Sequence, residues 1–334
     1  MMADDLKVAT RLTPLQQRGQ AIVDRLRGKA PAPPSKPASL PRIGVALGGG
    51  SARGLTHIPY IEAIDELGLK PSVIAGTSIG ALLGAGWANG MSGAELREHS
   101  YAVLGTMRVI ASRIWGGRFR NLGAVFQSGL SMQLDANEVV DSFLPDKFPE
   151  DFEALKIPLY VVATDFQSWH QAVFNAGKLR PAIAGSIAIP TLFKPVRFAH
   201  HLLVDGGVVN PLPLDQAAGD CDILVGIDVN GDPGTRMNKV DHKPLDLWFG
   251  AAQIMMHSLI AHMMAAYPPD VYVRPHVENF GTLEFWRVRE IVEQAAKDKD
   301  NFKRQLSRKV DAFIADPERT LATSPPHGLL PHRR

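Results

Sequence analysis

From Arg42 onward the chain alternates between short apolar runs and stretches with helical spacing. Ile43–Leu47 reads as a strand, and Leu55–Leu67 as a helix with Leu55, Ile58, Ile61, Ile64 and Leu67 apolar. Val73–Ala75 reads as a strand and Ile79–Ala88 as a helix rich in small residues. Pro158–Thr164, Leu202–Val204, Ile223–Val229 and Val271–Val273 read as further strands. Such alternation predicts an α/β protein, with a mostly parallel or mixed sheet covered by helices on both faces. Strands buried on both faces are continuously apolar, as Ile157–Ala163 and Ile223–Val225 nearly are. No internal repeat is visible, and no domain break separates residues 43 and 275.

Composition adds bounds. With 45% apolar and 21% charged residues, the 334-residue chain is neither disordered throughout nor fibrous. The single cysteine, Cys221, excludes a disulfide framework and a multi-cysteine metal site, and is expected to be a small buried hydrophobe. The net charge of +2 is too small to point to nucleic acid. It is unevenly placed: residues 1–42 carry eight Lys/Arg against three Asp, and the rest of the chain is slightly acidic. The arm, residues 1–41, combines a helical pattern over Pro14–Lys29 with a linker holding five prolines, which favours an extended tether. It reads as an extension or a helix packed on the body, with contact to anionic lipid as the weaker alternative. Residues 318–334 read as a disordered tail, leaving 42–317 as the body.

Within the body, no acidic residue lies between Glu98 and Asp135. There Arg108, Arg113, Arg118 and Arg120 interleave with Met107, Ile110, Ile114, Trp115, Phe119, Val125 and Phe126. Residues 100–135 are therefore expected to form a cap-like insertion, either packed on the body or serving as a lid toward lipid. There is no signal-peptide pattern, and Gly250–Tyr267, interrupted by His257 and His262, is too short for a membrane span. The expected location is the cytoplasm, with peripheral contact to the inner face of the membrane as an extension. The Met-rich run from Ile254 to Met264 is expected to face the core.

Gly48-Gly49-Gly50-Ser51-Ala52-Arg53-Gly54 follows the first strand and opens a helix. Its N–H groups can converge on a phosphate or an oxyanion, or simply make a turn. It lacks the last glycine of a dinucleotide fingerprint and the Lys of a P-loop. Gly76-Thr77-Ser78-Ile79-Gly80 lies between a strand and a helix, the context a nucleophilic serine needs. Such a serine needs a base, and Asp205-Gly206-Gly207 after Leu202–Val204 offers one; taken alone it is equally a turn with an Asx contact.

Taken in this order, Gly-Gly-Gly-x-x-Arg-Gly, Gly-x-Ser-x-Gly and Asp-Gly-Gly resemble the patatin-like phospholipases. The likeness is to compact bacterial members and to the esterase domain of neuropathy target esterase. Flanking text agrees: Leu55-x-His57-Ile58, Ala163-Thr164-Asp165, Ser186-x-Ala188-x-Pro190 with Phe193-x-Pro195, and Asn210-Pro211 with Pro213. The match runs from about Ile43 to Val229. The resemblance implies a three-layer α/β/α hydrolase with a Ser–Asp dyad and no catalytic histidine. Ser78 would be the nucleophile, Asp205 the base, and the N–H groups of Gly48, Gly49 and Gly50 the oxyanion hole. Arg53, Gly54, Gly76, Gly80, Gly206 and Gly207 would support the motifs. No cofactor, metal or nucleic acid is implied. The implied substrates are phospholipids or lysophospholipids, cleaved to free fatty acid through an acyl-enzyme.

Alternatives stay open at this stage. They are a soluble esterase, thioesterase or transacylase on shorter acyl groups, and a membrane-associated binding module with a silent site. His242, His257, His262 and His276 follow Asp205, so chain order permits a Ser–Asp–His triad. His57 is expected to be structural, and His200 and His201 to lie at the surface or a strand edge.

Overall fold

A computed structural model describes residues 40–115, 133–145, 147–219, 221–231 and 244–316. The expected arm helix, the tail from 318 and the central part of the 100–135 insertion lie outside the described residues. From Leu40 on, the described residues form one unit.

The chain opens with β1 (Ile43–Leu47), a six-residue 3-10 turn (Ser51–Thr56) and α1 (His57–Glu66). Next come β2 (Pro71–Thr77), α2 (Ile79–Ala88), α3 (Gly93–Trp115) and α4 (Ala136–Phe143). Then β3 (Leu159–Asp165) and β4 (His170–Phe174) precede α5 (Leu179–Ile187), β5 (Val196–Phe198) and β6 (His201–Asp205). The chain continues through α6 (Leu214–Ala217), β7 (Ile223–Ile227), α7 (Pro244–Ala266), β8 (Val271–Val273), α8 (Val288–Ala296) and α9 (Lys299–Ala315).

The strands form one sheet in the order β5-β6-β3-β2-β1-β7-β8, with β4 also paired to β3. The four strand pairs from β3 to β8 along this path are parallel, while β4, β5 and β6 pair antiparallel. Alternation along the central strands divides the interior in two. Val45, Leu47, Ile74, Val225 and Ile227 join one apolar cluster, while Ala46, Ala75 and Leu224 join another. Helices α1, α2, α8 and α9 contribute to the first, and α6 and α7 to the second. The result is the expected three-layer arrangement, built on the period-two pleat.

Two helix starts follow local chemistry. Ser92 and Glu95 form a reciprocal capping box at α3: Glu95 N–H donates to Ser92 Oγ at 3.2 Å, and Ser92 N–H to Glu95 Oε2 at 2.8 Å. Asp135 caps α4 by accepting from Asn137 N–H at 2.9 Å.

The C-terminal helices lie outside the sequence resemblance yet close the first cluster. Phe302 of α9 is fully buried, and its ring meets Tyr60 of α1 edge-on at 5.2 Å between centroids. Phe302→Ala is expected to cost about 3–5 kcal/mol in urea unfolding. A loss below about 1 kcal/mol, within the range of surface substitutions, would show that α9 does not belong to the core.

Candidate active site

Two strands meet head to head on one edge of β3. β2 pairs with β3 up to Thr77 opposite Val162. β6, running the other way, pairs with the next residues, Asp205 opposite Ala163. β4 occupies the other edge of β3 over the same residues, so β2 and β6 share an edge in succession. The C-terminal ends of both strands therefore converge, Ser78 directly after one and Asp205 ending the other. Ser78 Oγ donates to Asp205 Oδ2 at 2.5 Å across 127 positions of sequence.

Ser78 sits in the left-handed region at φ 56 and ψ −124, where a non-glycine backbone is strained. The turn persists because its surroundings over-determine it. A Cβ on Gly80 would overlap the Leu47 carbonyl oxygen, and one on Gly76 would stand 2.6 Å from the Ala81 backbone. Only glycine permits this tight passage from β2 into α2 against the end of β1. Ser78 N–H donates to Ser186 Oγ at 2.8 Å, and Ser186 Oγ donates to Val162 O at 2.6 Å. In the sequence Ser186 is legible only as part of Ser-x-Ala-x-Pro; its hydroxyl bridges the strained amide to β3.

Asp205 is equally fixed. Its Oδ1 accepts from Gly207 N–H at 2.7 Å, its N–H donates to Ala188 O at 2.9 Å, and its carbonyl accepts from Thr164 Oγ1 at 2.8 Å. Burial disfavours its ionised form and pushes its pKa up to about 6, against the opposing pull of the bonds from Ser78 and Gly207. A Cβ on Gly206 would overlap Val162 O.

The glycine loop lies over the serine: a Cβ on Gly49 would stand 3.3 Å from Ser78 Cβ. Its amides are not equivalent. Gly48 N–H donates to Ile227 O at 3.0 Å and Gly49 N–H to Pro211 O at 2.9 Å. These two are engaged with the backbone, which corrects the expectation that Gly48 and Gly49 present N–H groups to a ligand. The amides without a protein acceptor among the described residues are those of Gly50 and Ser51, so the open donors lie one residue further on.

The engaged pair holds the loop. The Gly48 carbonyl accepts from His57 Nε2 at 2.8 Å, so that nitrogen carries the proton. His57 is completely buried, and desolvation lowers its pKa to about 4, so it stays neutral near pH 7. Arg53 is buried too; its Nε donates to Phe280 O at 3.0 Å and Nη1 to Asn230 O at 2.8 Å, tying the loop to two later segments. Gly54 admits the Ile79 side chain where any Cβ would overlap it. On the far side, Asn210 Nδ2 donates to Asp215 Oδ1 at 2.7 Å and to Gln171 Oε1 at 2.9 Å. That network steadies the Asn210-Pro211 turn which receives Gly49.

No described histidine bonds to Ser78 or Asp205: His262 Nδ1 bonds to Ser258 O at 2.7 Å, and His276 lies beside Glu278. His242 lies outside the described residues. Cys221 is buried, with its thiol pushed up to about 12 by desolvation. His201 bonds to Asp165 Oδ2 at 3.0 Å at the end of β3. The Met-rich helix meets the expectation in part: Met263 and Met264 pack against the second cluster. Ile260 of α7 is fully buried, but Ile254 and Met255 are 70% and 55% exposed. Packing against α6 and the Gly206–Val208 turn covers only part of α7, and its sequence, with Asp246 near the start as its one charged residue, does not mark which part. Met256 reaches the turn, its Sδ 3.2 Å from a Cβ built on Gly207. Among the described residues no group of three His, Cys, Asp or Glu could hold a metal ion, and no helix is long and apolar enough to cross a membrane.

The fold and this geometry define a three-layer α/β protein whose strained serine is held against a buried carboxylate beneath a glycine loop. The family pattern described as Patatin-like phospholipase matches residues 45–218, and the chain belongs to that family. It is 33% identical over 195 residues to an uncharacterized NTE family protein of Mycobacterium tuberculosis, covering 58% of this chain and 51% of that protein. It is 28% identical over 291 residues to a lysophospholipase of Kluyveromyces lactis, covering 80% of this chain and 19% of that one. The chain thus spans about half the length of the first relative and a fifth of the second. Among solved structures, VipD from Legionella pneumophila is similar with a TM-score of 0.42 at 14% identity, covering 84% of this chain and 72% of that one.

The raised pKa of Asp205 makes a stability prediction. Its folded form holds a proton that the unfolded chain releases near pH 4, so stability falls as pH rises toward about 6 and the loss is complete above it. Asp205→Asn removes this cost and is expected to gain about 2–3 kcal/mol at pH 8. Urea unfolding should show a smaller gain at pH 5. An equal or greater gain at pH 5 would contradict the buried, proton-holding carboxylate.

Proposed function

We propose that the protein is a serine acyl hydrolase that cleaves carboxylic esters of phospholipids or lysophospholipids. The observation that carries this reading is the 2.5 Å bond from Ser78 Oγ to Asp205 Oδ2 at a strained strand–helix turn. Ser78 Oγ attacks the ester carbonyl while Asp205 takes its proton. The carbonyl oxygen becomes an oxyanion and accepts from the open N–H groups of Gly50 and Ser51, fixed before the reaction begins. The tetrahedral intermediate collapses, Asp205 returns the proton to the leaving alcohol, and the acyl group stays on Ser78. Water, deprotonated by Asp205, then attacks the acyl-enzyme, and Asp205 returns that proton to Ser78 Oγ as the fatty acid leaves.

A carboxylate is an ordinary base in water, but burial raises the proton affinity of Asp205 to suit neutral pH. The lipid part of the proposal draws on family membership and on the lysophospholipase among the relatives. Approach from a lipid surface is supported by Val208, Ile254 and Met255, apolar and exposed on the turn and helix flanking Asp205.

The test is fatty-acid release from lysophospholipid and from a short p-nitrophenyl ester by wild type and Ser78→Ala. Release from both substrates, lost in the variant, is expected. Release from the short ester alone would replace the lipid assignment with a soluble esterase. The wild-type kcat/KM is expected to rise with pH through a single limb near 6, because Asp205 must be ionised to act. Flat activity between pH 5 and 7 would remove Asp205 from the role of base.

A further inference from the structure

Unpaired polar groups cluster at one point of the glycine loop. Gly48 N–H and Gly49 N–H are bonded on one side, and Ala52 N–H donates to Thr282 O at 2.9 Å and Arg53 N–H to Gly50 O at 3.2 Å on the other. Between them, the amides of Gly50 and Ser51 have no protein acceptor among the described residues. The Ser51 hydroxyl is the third such group. Ser51 is only 7% exposed, and its Oγ is buried without a hydrogen-bond partner. Buried polar groups in native proteins are paired as a rule, so the buried Ser51 Oγ, set beside two open amides, calls for an acceptor from outside the chain.

The backbone adds an independent observation. Ser51 holds φ at 55, a conformation glycine adopts freely and serine does not. Glycine at this position would relieve the strain and leave no hydroxyl to bury. The side chain is therefore unfavourable twice over for the free protein, by strain and by an unpaired oxygen. Such strain persists at sites where a geometry is used.

We infer that the Ser51 hydroxyl is a third oxyanion donor, joining the Gly50 and Ser51 amides on the carbonyl oxygen of the ester. The inference rests on the acyl-hydrolase reading and extends it from backbone to side chain. The loop that carries Ser51 runs beside Ser78: a Cβ built on Gly49 would stand 3.3 Å from the serine Cβ. A hydroxyl has one proton to give and rotates to suit its acceptor. An oxygen gaining negative charge as Ser78 attacks is the acceptor that would favour the transition state over the bound ester.

The experiment compares wild type, Ser51→Gly, Ser51→Ala and Ser78→Ala as full-length proteins on a p-nitrophenyl ester, reading kcat, KM and melting temperature. Ser51→Gly keeps both amides and suits the backbone, so it isolates the hydroxyl. Both Ser51 variants are expected to lose about 100-fold in kcat with KM within about threefold, since the donor acts in the transition state. Ser51→Gly should melt at or above the wild-type temperature. If Ser51→Gly turns over within twofold of wild type, the hydroxyl is not a donor and the inference falls. A loss in Ser51→Ala alone overturns it as well, because the defect then lies in the backbone. Turnover that survives in Ser78→Ala overturns the acyl-hydrolase reading itself, and the inference with it.

Discussion

The structure depends on one constraint: β2 and β6 share an edge of β3 and stop one residue apart on it. That register brings a serine and a carboxylate into a 2.5 Å hydrogen bond. No local segment could do so, because the two residues belong to different motifs and approach from opposite strand directions. β3 thereby acts as the template of the site. Its Val162 carbonyl also receives Ser186, which in turn holds the Ser78 amide. Thr164 beside it donates to the carbonyl of Asp205.

This arrangement is unfavourable to the folded state by itself. Ser78 and Ser51 both occupy left-handed backbone, and a carboxyl group is buried with two hydrogen bonds to its oxygens among the described residues. The surrounding fold offsets these terms. The central strands bury both faces, and α8 and α9 seal the far side with Ile291, Phe302 and Leu306. Around the glycine loop, His57, Arg53 and the Asn210-Pro211 turn pair backbone carbonyls and amides and so fix the loop's course. His57 can do this steadily because burial keeps it neutral. The support is thus distributed: the serine and the carboxylate are two residues, and the residues that hold them come from most of the sheet.

Much of this was legible in the sequence where the signal is local. The apolar runs of β1 and β7 and the small-residue helix after Ser78 follow from periodicity and composition. The glycine loop, the Gly-x-Ser-x-Gly turn and Asp-Gly-Gly each announce a backbone that only glycine fits. What stayed hidden depends on distant partners. β4 begins with the exposed His170 and Gln171, and β5 spans three residues, so neither has a strand-like pattern. The antiparallel direction of β6 is a property of the sheet. The engagement of Gly48 and Gly49 with Ile227 and Pro211 is a long-range backbone contact that leaves no mark on residue type. Ser51 was visible only as the variable letter of a motif, and its significance emerges from an unpaired oxygen. The exposed side of α7 was unreadable because its one charged residue, Asp246, lies in its first turn and leaves the rest of the helix without a charged face to set against an apolar one.

The account turns on Ser78 being activated by Asp205, and one labelling measurement addresses that directly. A fluorophosphonate would be incubated with wild type and with folded Asp205→Asn, and the adduct located by peptide mass spectrometry. The account predicts a single adduct on Ser78 in wild type and a labelling rate at least 100-fold lower in Asp205→Asn. An adduct on another residue, or equal labelling of Ser78 in both proteins, would contradict it.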